Sequence, residues 1–134
     1  TLSPLDSYLL MRGLKTLSLR MERATQNAQK IVAYLKKSPA VKQVYYTGKG
    51  GMISLKVVDE SKIPHILNTL KIFTFAESLG GVESLITYPA TQTHADIPVE
   101  TRHSYGLTDD LLRLSIGIED ADDLIADLEV ALEG

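Results

Sequence analysis

The sequence predicts an α+β (α/β) domain: a small, mostly antiparallel sheet of about four strands, covered by helices on one face and preceded by a long N-terminal helix. Three observations predict it. Apolar residues recur at spacings of three and four over the first 35 positions, the signature of one helical face. From position 41 onward, short β-branched and aromatic segments alternate with helical patterns. The 134 residues are 44% hydrophobic and include no cysteine, enough for one core with no disulfide or thiolate-metal staple.

The elements follow in order. Ser3-Pro4-Leu5-Asp6 reads as a helix start: a serine cap, a proline at the first helical position and a carboxylate in the first turn. Leu10, Leu14, Leu17, Met21, Ala24, Ala28, Ile31 and Leu35 then form one stripe, which Ser38-Pro39 ends. The stripe predicts a single helix over 1–37, packed along the sheet of a region spanning 38–134. The small alanines at 24 and 28 speak against a coiled coil, and a helix of that length also suits a bridge between two domains. Val41 to Tyr46 and Met52 to Val58 read as strands joined by a turn at Thr47–Gly51. A helix follows over Glu60–Leu70, with Pro64 tolerated in its first turn. Ile72–Phe75 and Leu85–Pro89 are short strand candidates, and Ile97–Gly106 is a short helix with a glycine stop. Leu111–Ile118 is the clearest strand: Leu112, Leu114, Ile116 and Ile118 face one way, Leu111, Arg113, Ser115 and Gly117 the other. Asp120-Ala121-Asp122-Asp123 opens the last helix, its acids near the positive dipole end.

Composition narrows the function classes. With 14 Lys+Arg against 17 Asp+Glu, the net charge of −3 argues against nucleic acid, whose affinity comes from neutralised phosphates. No apolar run approaches the ~20 residues that span a bilayer. The first residue is Thr1 and not a methionine, so the start is expected to be cut from a longer polypeptide or matured by processing.

Few motifs carry chemistry. Gly48-Lys49-Gly50-Gly51 lacks a phosphate-loop spacing and reads as a hairpin turn. His65, His94 (beside Asp96) and His103 are too scattered for a metal site. Thr93-His94 lacks the third group that would orient a nucleophile and base. Glu77-Ser78-Leu79-Gly80-Gly81-Val82-Glu83-Ser84-Leu85 repeats a Glu-Ser-Leu triplet around a glycine pair, as either a hairpin or a loop presenting backbone and hydroxyl groups to a polar ligand. Arg113, central in an apolar strand, faces either water or an anion; its planar fork suits a carboxylate.

Three stretches resemble a known family. Ser3 to Leu17 resembles the start of the long interdomain helix of the pyridoxal-phosphate enzymes of cysteine and methionine metabolism: cystathionine γ-synthase, cystathionine β- and γ-lyases and methionine γ-lyase. Phe73 to Pro98, with Ala76–Leu85 and Thr93-His94-Ala95, resembles their second signature. Leu112–Asp120 followed by Asp123-Leu124-Ile125 resembles the third. The resemblance implies the C-terminal domain of a fold-type-I enzyme, in which Arg113 clamps the substrate's α-carboxylate, Ser78 assists, and Glu77 and Thr93 line the same entrance. It implies a parent that binds pyridoxal 5'-phosphate and cleaves or makes cystathionine-type sulfur amino acids, in a cytoplasmic homotetramer. It also implies that the cofactor domain, with its Schiff-base lysine, lies upstream, leaving this chain alone without cofactor and inactive. The Tyr46–Met52 link is shorter than in typical members. The alternatives are a free-standing amino-acid-binding module, keeping Arg113 and Ser78 as its carboxylate site, and a non-catalytic assembly module using the long helix as an interface.

Overall fold

The computed structural model describes all residues, Thr1–Gly134. Five helices and five strands follow in the order α1 (Pro4–Leu14), α2 (Leu17–Leu35), β1 (Val41–Tyr45), β2 (Met52–Val57), α3 (Ile63–Thr69, after a 3₁₀ turn at Glu60–Lys62), β3 (Thr74–Phe75), β4 (Leu85–Thr87), α4 (Val99–Ser104), β5 (Leu111–Ser115) and α5 (Ala121–Glu133). The strands form one sheet in the order β1-β2-β5-β4-β3, antiparallel except for the β3–β4 pair. That is one strand more than about four, because the two residues of β3 pair in parallel with β4.

The helices cover one face. Ala28, Ile31, Val32 and Leu35 of α2 share one core with Leu124, Leu128, Ala131 and Leu132 of α5 and with Ile63 and Ile66 of α3, α5 packing against both other helices. Against them lie Ile53, Leu55 and Val57 of β2, Ile86 of β4, and Leu112 and Leu114 of β5, the alternate residues that a pleated strand turns to one side. Removing each such side chain from water stabilises the fold by about 1.5–3 kcal/mol. Ile116 extends this row beyond the strand, whereas Ile118 is exposed, so the pleat that the sequence continues to 118 ends with β5 at Ser115.

The expected single helix over 1–37 is divided in two. Gly13 and Thr16 are weak helix formers, and at Lys15-Thr16 the backbone leaves the helix, Thr16 standing at φ −113°, ψ 6°. Arg20 spans the break: its Nη2 donates to the Gly13 carbonyl at 2.7 Å and its Nε to Thr16 Oγ1 at 3.2 Å. Only the second half of the apolar stripe is covered. Ala24, Ala28, Ile31 and Leu35 are buried, while Leu10, Leu14, Leu17 and Met21 are exposed, as are Leu2, Leu5 and Leu9. No helix is long and apolar enough to cross a membrane.

Candidate functional site

The site lies on the sheet face opposite the helices. There the register aligns Ser54 of β2, Arg113 of β5 and Thr87 of β4 in one cross-strand row. Residues 76–84, between β3 and β4, fold over this face, which is why all three residues of β4 are buried on both sides. Two hydrogen bonds tie this segment to β5. Arg113 Nη2 donates to the Glu77 carbonyl at 3.3 Å, and Ser115 Oγ accepts from the Gly80 N–H at 2.9 Å. Ser78 is held between the two tethers, exposed, and its hydroxyl makes no hydrogen bond within the chain. Gly80 takes φ +75°, a conformation that side chains resist, so the glycine is what lets the loop turn over the strand.

The structure therefore gathers Arg113, Glu77 and Ser78. No hydrogen bond links Thr93 to these three: it is exposed in the turn after β4, and its hydroxyl pairs with His94 Nδ1 at 2.7 Å. Arg113 makes no salt bridge, and its Nε and Nη1 make no hydrogen bond within the chain. Arg102 is the contrast. Buried to 6% exposure, it pairs with Asp109 at 3.2 Å, and Asp109 also faces His103 and takes the Tyr88 hydroxyl on its carbonyl. Burial, then the Asp109 carboxylate, pushes the Tyr88 phenol up. One arginine is thus built into the fold, while the other keeps donors on Nε and Nη1 uncommitted.

Several supporting residues are missing from the sequence reading. Ser84, fully buried, donates from its hydroxyl to Glu119 Oε2 at 2.8 Å and accepts from the Gly117 N–H at 2.9 Å, while its own N–H reaches Glu119 Oε1 at 2.6 Å. Asn27 of α2 donates to the carbonyls of Gly117 and Glu119. Together they fasten helix, loop and strand end into one corner. Asn27 was findable, because it sits three residues after Ala24 and four before Ile31, inside the apolar stripe. Asp127 of α5 accepts from the backbone N–H groups of Lys71, Ile72 and Phe73 at 2.9, 2.8 and 3.1 Å, fixing the turn before β3; nothing in its spacing signals this.

No group of three or more His, Asp or Glu side chains converges as a metal site. Of the lysines, Lys56 is half-buried on the sheet and the others are exposed.

Comparison with known proteins defines the relationship. The chain matches the model of the Cys/Met metabolism PLP-dependent enzymes over residues 1–133. It is 57% identical over 127 residues to a cystathionine gamma-synthase of Haemophilus influenzae, covering 95% of this chain and 34% of that protein. It is 51% identical to a cystathionine gamma-lyase of Bacillus subtilis, covering 98% and 39%; those 148 aligned positions exceed this chain's length, so that relative carries residues with no counterpart here. Among solved structures, a cystathionine gamma-lyase from Lactobacillus plantarum complexed with L-serine superimposes with a TM-score of 0.89 at 42% identity, over 98% of this chain and 39% of that one. A protein assigned as an O-acetylhomoserine (thiol)-lyase from Campylobacter jejuni, solved with N'-pyridoxyl-lysine-5'-monophosphate, does so with a TM-score of 0.91 at 34% identity, over 100% and 36%. The chain thus spans a little over a third of the length of the relatives it matches. It belongs to the pyridoxal-phosphate-dependent enzymes of cysteine and methionine metabolism.

Proposed function

We propose that this chain is the substrate-anchoring part of a pyridoxal-phosphate-dependent trans-sulfuration enzyme acting on cystathionine-type amino acids. Arg113 binds the α-carboxylate, the Glu77–Gly81 loop with Ser78 frames it, and Glu77 and Thr93 border the entrance. One observation carries this reading: Arg113 is fixed at one edge by Glu77 and Thr87 yet has no carboxylate of its own. A guanidinium with N–H groups of Nε and Nη1 uncommitted offers charge-assisted donors to a carboxylate, which holds an amino acid in one orientation.

The rest of the protein supplies the cofactor and its lysine. The relatives' greater length supports this, as do the many exposed leucines of α1 and early α2, of the kind that another protein surface covers. The chain by itself is inert: with pyridoxal phosphate it develops no bound-cofactor absorbance and does not turn over cystathionine.

The test is Arg113→Ala in the complete enzyme. Losing a charge-assisted contact to the carboxylate raises KM for the amino acid by about a hundredfold while the cofactor stays bound. An unchanged KM, or cofactor loss as the main effect, overturns the assignment.

A further inference from the structure

We propose that Thr87 is the positioning residue that aims Arg113 at the substrate carboxylate, an inference that rests on the carboxylate reading of Arg113 above. An arginine side chain has four rotatable bonds, and a half-exposed one samples many of them unless something holds its head. Thr87 is placed to hold it. The sheet register sets the two residues directly opposite each other on neighbouring strands. Thr87 is 1% exposed, and its branched β-carbon restricts the side chain to few rotamers, so its hydroxyl is a fixed point.

The direction of the hydrogen bonds is determined. A hydroxyl has one proton to give and lone pairs to receive with. Thr87 Oγ1 gives its proton to the Ala76 carbonyl at 2.7 Å, which leaves a lone pair for Arg113 Nη2 at 3.4 Å. The same Nη2 donates to the carbonyl of Glu77, the residue after Ala76. Guanidinium, threonine and the start of the Glu77–Gly81 loop therefore form a closed circuit. Anchoring Nη2 fixes the plane of the guanidinium, leaves the N–H groups of Nε and Nη1 for a ligand, and couples the arginine's aim to the position of Ser78. Ser115 holds the far end of the same loop at Gly80.

The complete enzyme tests this, with KM and kcat measured on the amino-acid substrate for Thr87→Val, Thr87→Ser, Arg113→Ala and the Arg113→Ala/Thr87→Val double variant. Valine keeps the shape and removes the acceptor; serine keeps the hydroxyl. Thr87→Val is expected to raise KM about five- to tenfold with kcat changed less than about twofold, and Thr87→Ser to recover most of that loss. With Arg113 already gone, Thr87→Val adds no further rise in KM. If Thr87→Val raises KM equally in both backgrounds, the residue acts on the fold and the proposal is overturned. If Arg113→Ala raises KM and Thr87→Val does not, this inference fails while the carboxylate reading stands. If Arg113→Ala itself leaves KM unchanged, both fall. Thr87→Ala runs the same cycle should the valine variant not accumulate.

Discussion

Asn27, in the middle of α2, donates its side-chain amide to the carbonyl of Glu119 at 2.8 Å, joining residues 92 positions apart in the chain. The same nitrogen reaches the Gly117 carbonyl at 3.1 Å. Asn27 is 3% exposed, so this is a polar side chain placed inside an apolar interface. Asn27→Ala leaves two carbonyls without their donor, and an unmade buried hydrogen bond costs the desolvation of the group left behind, about 1–3 kcal/mol. The urea midpoint of the chain is expected to fall correspondingly, with an unchanged slope. A midpoint equal to wild type would show that water replaces the amide at no cost.

How much of this was legible in the sequence depends on the residue. The strands and the α5 start were legible because alternation and capping are local: Leu112, Leu114 and Ile116 announce their face, and Asp120 announces its cap. The break at Lys15-Thr16 was not, because an apolar stripe reports which residues share a face and not whether the backbone between them is continuous. The two Glu-Ser-Leu triplets show the limit most clearly. Ser78 is exposed and Ser84 fully buried; Leu79 is exposed and Leu85 buried. Identical triplets meet opposite fates because only the second continues into β4. Arg113 was conspicuous as a cation in an apolar strand, whereas Thr87 and Ser115 look like ordinary strand residues until the sheet register sets them beside it.

Gly117 is where the corner closes most tightly. A β-carbon there would collide with the Val82 carbonyl and press on the Glu119 carboxylate. Ile118 N–H donates to that same Val82 carbonyl at 2.9 Å, so the backbone cannot back away without breaking a bond. Gly117→Ala is expected to destabilise the chain by about 1–3 kcal/mol, as overpacking does, and to raise amide hydrogen exchange across 80–84. Unchanged exchange there would mean that the loop has room the structure does not show.

The N-cap of α5 gives a pH dependence of defined sign. Asp120 accepts from the N–H groups of Asp122 at 2.8 Å and Asp123 at 3.3 Å, and these bonds hold its carboxyl below the usual range. A folded pKa below the unfolded one, about 3.9, means the contribution is present above the unfolded value and lost as pH falls through the folded one. Asp120→Asn keeps a good cap with nothing to titrate. Its stability is expected to fall less than wild type as pH drops below about 4. A carboxyl resonance titrating at the ordinary value would remove the basis for this.

Tyr34 supplies the opposite limb. Its hydroxyl lies 3.3 Å from Glu133 Oε1, with Ser38 Oγ on the same oxygen. Burial first, then the Glu133 charge, pushes its phenol up from 10.0 to about 12. Ionising it would set a second negative charge against the carboxylate in partly dry surroundings. The raised pKa makes its contribution complete below about pH 10 and lost as pH rises through about 12. In a titration of tyrosinate absorbance, Tyr34→Phe is expected to remove one late-ionising group. Glu133→Gln removes the charge but not the burial, so Tyr34 is expected to move part of the way back and stay above the ordinary value. A return all the way would make the carboxylate, and not burial, the leading cause.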